Sequence, residues 1–131
     1  MRLLILFGSK SDSDVYDELK EKLIHNHEVE LAILSAHRQP KELRERLALK
    51  NFDALIAGAG LAAHLPGVVA SEVDVPVFGV AVSAAFGGLD SVASIQQMPF
   101  GVPVMTYHQD RLNDLVDFID SMECMNDIRK S

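Results

Sequence analysis

One cysteine, Cys124, stands among 131 residues, so neither a disulfide framework nor a zinc site built on cysteines is open to this chain. No stretch approaches the ~20 consecutive apolar residues of a membrane span. The apolar start, Met1-Arg2-Leu3-Leu4-Ile5-Leu6-Phe7, ends at Gly8-Ser9-Lys10 and is too short for a secretion signal with its cleavage site. A block of basic residues is also missing. With 12 Lys+Arg against 19 Asp+Glu the net charge is −7, which argues against nucleic acid or an anionic membrane as the main partner. Neither a Gly-x-x-x-x-Gly-Lys-Ser/Thr phosphate loop nor a His-Glu-x-x-His metal pair occurs. His25, His27 and His108 lie at separate places in the pattern and receive no role, so no metal site is expected. Repeats, linkers and low-complexity segments are absent as well. What remains is a cytoplasmic, single-domain reading over 1–131. Hydrophobic residues make up 48% and charged ones 24%, enough for one core that buries roughly two-thirds of the unfolded surface.

Strand and helix patterns alternate along the chain. The continuous apolar run 3–7 suits a strand buried on both faces. A polar loop over 8–14 follows, and Asp12, Ser13 or Asp14 is placed to cap a helix. Val15, Leu19 and Leu23, with Tyr16 and Ile24, line that helix's inner face, and His25-Asn26-His27 closes it. A second strand spans 29–34, and Ser35-Ala36-His37-Arg38-Gln39-Pro40 forms the second polar loop. Pro40 suits a helix start, and that helix runs to about Leu49 with Leu43 and Leu47 inward. A third strand over 52–57 feeds Ala57-Gly58-Ala59-Gly60-Leu61-Ala62-Ala63-His64-Leu65-Pro66-Gly67. A third helix runs from there to about Glu72, and a fourth strand spans 75–82 with Pro76 at its entrance. Beyond the small-residue loop 83–89, Asp90 or Ser91 caps a short helix to Gln96 or Gln97. A turn at 98–101 and a fifth strand over 102–107 follow. Leu112, Leu115, Val116, Ile119 and Met122 then mark a last helix ending near Met125, with a frayed tail.

Such alternation predicts an α/β fold: a three-layer αβα sandwich on a five-stranded parallel sheet. The flavodoxin-like strand order 2-1-3-4-5 is expected, with its switch point between strands one and three. The loops 8–14 and 57–67 then open into one crevice, flanked by the loop 35–40.

Three groups in those loops carry chemistry. Gly8-Ser9-Lys10-Ser11-Asp12 offers hydroxyls, an ammonium and helix-start N–H groups to a phosphate. Asp12 would repel that phosphate and suits sugar hydroxyls instead, although caps and solvation also account for this loop. His37 stands beside Arg38, whose planar fork suits phosphate or carboxylate. A neighbouring guanidinium favours the neutral, proton-accepting imidazole. His64 sits in the small-residue stretch, where backbone N–H groups can approach a ligand closely. The same Gly/Ala composition also arises where a helix packs tightly on a sheet, and a lone histidine there can be a buried, hydrogen-bonded residue. Gly58-x-Gly60-x-x-Ala63 loosely matches a dinucleotide fingerprint, but it follows the third strand and lacks the distal acidic residue.

Taken together, Gly8-Ser9-Lys10-Ser11-Asp12, Ser35-Ala36-His37-Arg38, the stretch from Ala57 to Gly67, Gly88-Leu89-Asp90-Ser91 and Gln97-Met98-Pro99-Phe100-Gly101-Val102-Pro103-Val104 resemble one family. It is PurE, the N5-carboxyaminoimidazole ribonucleotide mutases of purine biosynthesis, and the order and spacing agree from residue 3 to about 106. The resemblance implies an isomerase that moves a carboxylate from N5 to C4 of the imidazole without metal or nucleotide cofactor. The branch that fixes CO2 directly onto aminoimidazole ribonucleotide carries a different loop at 57–67, and a non-catalytic or other-ribonucleotide paralogue is the remaining alternative. By motif, His37 would be the general acid and base. Ser9 and Arg38 would lie at the phosphate end and Asp12 at the ribose. Ser11, Ser35, Ala36, Ala57, Gly58, Ala59, Gly60, Ala63, His64 and Leu65 would complete the substrate site. A ribonucleotide is the implied partner, and the family's octamer the implied assembly. Ser13 stands where the family usually has an aromatic residue, and Val80-Ala81-Val82 where it usually has Val-Pro-Val. Most members also continue past the last helix with a segment that grips neighbouring subunits.

Overall fold

The computed structural model describes residues 1–59, 65–82 and 104–130, with only the backbone described at 59 and 123–130. Its parallel sheet contains β1 (Arg2–Phe7), β2 (Glu28–Ile33), β3 (Ala54–Ala59), β4 (Val77–Ala81) and β5 (Met105–His108). Among the described residues the α-helices are α1 (Ser13–Leu23), α2 (Pro40–Ala48), α3 (Leu65–Glu72) and α4 (Leu112–Lys130). The five strands lie in the order β2-β1-β3-β4-β5, every pair parallel, as the alternation predicted.

Successive side chains of a strand point to opposite faces, and the central strand β1 shows the consequence. Leu3, Ile5 and Phe7 face α1 and α4, where Tyr16, Leu19, Leu23, Leu112, Leu115 and Ile119 close over them. Leu4 and Leu6 face the opposite layer, meeting Leu43 and Leu47 of α2 and Leu65 and Val69 of α3. Residues 3–7 are all buried, Leu4 to Phe7 completely, which is why β1 reads as an unbroken apolar run. At ~1.5–3 kcal/mol per fully buried large apolar side chain, these two layers supply the main drive for folding.

Several boundaries differ from the sequence pattern. Phe52 is buried but precedes β3, its ring beneath the Arg46 guanidinium at 5.9 Å. The strand begins two residues later and continues through Gly58 and Ala59, which the pattern assigns to a loop. β4 is shorter than expected at Val77–Ala81. Pro76 stands outside it and accepts from the Leu55 N–H through its carbonyl (3.0 Å), so its missing donor is harmless. Ile24 is 51% exposed, not inward. The backbone of α4 remains helical to Lys130, past the expected end near Met125. Residues 102 and 103 of the expected fifth strand, the short helix beginning at Asp90 or Ser91 and the turn at 98–101 lie outside the described residues.

β2 and β5 form the sheet's two outer edges. β5 has four residues. β2 carries exposed Glu28 and Glu30, and Arg46 of α2 reaches Glu30 with one guanidinium nitrogen while the other donates to Asn51 (3.0 Å).

Candidate active site

Register brings three chain turns to one rim. Phe7, the last residue of β1, pairs with Ile33, the last of β2, and with Gly58 near the end of β3. Parallel strands lie ~4.8 Å apart, so the ends of β2 and β3 flank that of β1 at a separation of about 10 Å. This is the crevice outside the carboxyl ends of the strands, at the switch point of the sheet.

After β1, residues Lys10–Asp12 form a short 3-10 turn instead of an open loop. Ser9 caps it: its hydroxyl accepts from the Ser11 N–H (3.2 Å) and shares a 2.7 Å bond with the Ser11 hydroxyl. Asp12 is the N-cap residue of α1, yet its side chain makes no capping bond. Partial burial pushes its carboxyl above the usual range, because the charged form is poorly solvated there. An acceptor-rich group thus sits at the rim without a structural task at the helix end.

After β2, the Leu34 N–H donates to the Phe7 carbonyl (2.9 Å), tying the second turn to the end of β1. Ser35 then holds the turn closed. Its carbonyl accepts from the Gln39 N–H (2.9 Å), its N–H donates to the Gln39 side-chain oxygen (3.3 Å), and its hydroxyl accepts from the Arg38 N–H (3.2 Å). Ser35 and Ala36 are half-buried, whereas His37 and Arg38 stand exposed at the tip. Arg38 makes no ion pair among the described residues, which leaves its fork open for an anion.

The third turn is described only at its ends. Ala57 is fully buried in the α2/α3 layer, and Leu65, the first residue of α3, packs in the same layer at 4% exposure. Gly58 has a packing reason to be glycine: a Cβ there would lie 2.3 Å from two carbons of the Phe7 ring. Ala59 ends the strand. Gly60, Ala63 and His64 lie outside the described residues. Of the expected site residues, Ser9, Ser11, Asp12, Ser35, Ala36, His37, Arg38, Ala57 and Gly58 therefore belong to three adjacent strand ends. Sequence reasoning gave Gln39 no part, although a long polar side chain just before a proline is its only local signal.

The other histidines lie elsewhere. His27 is buried at the opposite end of the sheet, with one ring nitrogen 2.7 Å from Asp120 of α4 and the other 3.2 Å from the Met1 amine. His108 accepts from the Asp110 N–H (3.2 Å) and caps a turn. Among the described residues no cluster of His, Cys, Asp and Glu has the form of a metal site.

The family model described as AIR carboxylase matches residues 2–113, and so takes in every turn just described. The chain belongs to the AIR carboxylase family. Members similar to it include the N5-carboxyaminoimidazole ribonucleotide mutase of Pyrococcus abyssi, 46% identical over 108 residues, covering 78% of this chain and 62% of that protein. The mutase of Escherichia coli K12 is 47% identical over 112 residues, covering 80% of this chain and 65% of that protein. This chain therefore spans somewhat under two-thirds of the length of these curated relatives. A crystal structure of Treponema denticola PurE superposes with a TM-score of 0.73 at 20% identity, covering 98% of this chain and 94% of that one. That likeness carries the fold. No helix among the described residues is long and apolar enough to cross a membrane.

Proposed function

We propose that this AIR carboxylase family member is an N5-carboxyaminoimidazole ribonucleotide mutase, as its curated relatives are named. The observation that carries the reading is the row Ile33, Phe7 and Gly58, from which three turns bearing the motif residues leave side by side. A ribonucleotide is long enough to touch all three. In this reading the Ser9–Ser11 hydroxyl pair and the unpaired Arg38 fork take the phosphate, and Asp12 takes the ribose hydroxyls. His37 passes a proton to N5 as the N–C bond to the carboxylate breaks, and CO2 is released beside the ring. C4 then attacks that CO2, and His37 recovers a proton from C4, so the proton count closes with no net consumption. A group used this way contributes ~10²–10⁴-fold. The stretch from Ala57 to Leu65, with Gly58, Ala59, Gly60, Ala63 and His64, walls the space in which CO2 must be kept until it recombines.

One domain over 1–131, a cytoplasmic site of action and assembly into a homo-oligomer, the octamer of the resemblance, belong to the same proposal. The test is incubation of the purified chain with the N5-carboxylated ribonucleotide, following the C4-carboxylated product by absorbance. Conversion without added bicarbonate supports the mutase. Conversion only of aminoimidazole ribonucleotide with CO2 makes the chain a direct carboxylase, and binding without conversion makes it a ligand-binding module.

A further inference from the structure

The turn that presents His37 is closed by a side chain that no motif assigns. Gln39 occupies the N-cap position of α2, where a side-chain oxygen ordinarily accepts from the first free N–H groups of the helix. Here it makes no such bond. The chain runs through the cap at φ −133° and ψ 51° into Pro40, and the amide reaches backwards instead. Its Oε1 accepts from the Ser35 N–H (3.3 Å), while its own N–H donates to the Ser35 carbonyl (2.9 Å). Both backbone groups of Ser35 are therefore held by one residue, four positions on. The Gln39 carbonyl in turn accepts from the Leu43 N–H (3.0 Å), and Leu43 is buried in the core at 1% exposure. A continuous path of bonds and packing runs from the core, through Gln39, to the root of the turn. Ala36, His37 and Arg38 are the residues enclosed between Ser35 and Gln39, and Leu34 fixes the same root to β1.

We propose that Gln39 is a positioning residue for His37, using its side-chain amide to fix the backbone from which the imidazole projects. The assignment rests on the mutase reading for its consequence, though not for its geometry. Arg38 keeps a separate tie, its N–H on the Ser35 hydroxyl. Loss of the Gln39 acceptor loosens the root from which His37 leaves the strand, and proton transfer, which needs the imidazole held in reach of the reacting atom, is the step most sensitive to that change. A single exposed hydrogen bond of this kind corresponds to roughly a two- to tenfold change in an equilibrium.

Two variants of the full chain test this: Gln39→Met, which keeps the length and removes the acceptor, and Gln39→Glu, which keeps an acceptor oxygen. Backbone amide exchange at Ser35 is read first, without ligand. Gln39→Met should accelerate it about two- to tenfold, and Gln39→Glu should leave it near the wild-type rate. In turnover of the N5-carboxylated ribonucleotide, Gln39→Met should lower kcat by a similar factor with KM little changed. Unchanged Ser35 exchange in Gln39→Met, or equal acceleration in both variants, overturns the clamp. Faster exchange with an unaltered kcat overturns the positioning role. A wild-type chain that binds the ribonucleotide without converting it defeats the mutase reading alone, and the exchange measurement still decides the clamp.

Discussion

Replacing Gly58 by alanine asks whether that position is small for the ligand or for the core. Phe7 is fully buried, and its ring stands edge-on to Tyr16 of α1 at 5.5 Å between centroids. The added Cβ would fall 2.3, 2.3 and 2.9 Å from three ring carbons. Ordinary contact begins near 3.4 Å, so the ring must retreat by about 1 Å into Tyr16 or the strands must part. Overpacking of this kind costs about 1–3 kcal/mol, and the absence of free surface around Phe7 places Gly58→Ala in the upper half of that range. Phe7→Leu alone removes ring volume and should cost about 1–2 kcal/mol. Combined, the two changes should be less destabilising than their sum by about 1–2 kcal/mol, because the leucine vacates the space the methyl needs. Equilibrium denaturation of the wild type, both single variants and the double variant measures this coupling. A Gly58→Ala protein within about 0.5 kcal/mol of the wild type, or strictly additive variants, would refute the packing argument and return Gly58 to the ligand.

Other outcomes follow from the same geometry. His37→Asn should lower turnover by about 10²–10⁴-fold while the ribonucleotide still binds, checked by kinetics and by calorimetric titration. Asp12→Asn should raise the unfolding midpoint at neutral pH. Burial raises the folded-state pKa of Asp12, so ionisation opposes folding above that pKa and the difference disappears below about pH 4; thermal scans across pH 3–7 check it, and ribose binding should weaken. Lys50 has a left-handed backbone, φ 50°, just past the end of α2. Lys50→Gly should therefore stabilise the chain by about 0.5–1 kcal/mol, measured by urea denaturation. Asp53 accepts from the Arg2 N–H (2.8 Å) and the Arg2 guanidinium (3.3 Å), which hold its carboxyl below the usual range. Stability drawn from that contact is present above the ordinary carboxylate pKa and lost as pH falls through the lower folded value, so Asp53→Asn should flatten the acid limb of the stability curve.

The strand order could be read from the chain because each apolar run is followed by a polar turn and a helical stripe, and few topologies satisfy that alternation. Leu43, Leu47, Leu112, Leu115 and Ile119 were equally legible, since helical spacing alone places them inward. Position along the strands was less so. Gly58 and Ala59 look like loop because they lack bulk, and nothing near them announces that Phe7, 51 residues earlier, fills the space beside Gly58. Phe52 looks like strand because it is aromatic, whereas its partner is a guanidinium on α2. His27 carried no signal because Asp120 lies 93 residues away. In the candidate site, residue types marked Ser9, Asp12, His37 and Arg38, since the chemistry that singles them out is local. Gln39 acts through backbone geometry, which composition does not display.

The outer strands have a consequence for how this chain behaves at high concentration. Among the described residues, a neighbour seeking to extend the sheet would meet glutamates along one border, one of them restrained by an arginine, and a strand of four residues along the other. Short or charged borders are poor templates for cross-molecular pairing. The route to fibrillar growth is therefore obstructed along both borders, and crowding leaves the native fold favoured over cross-β stacking.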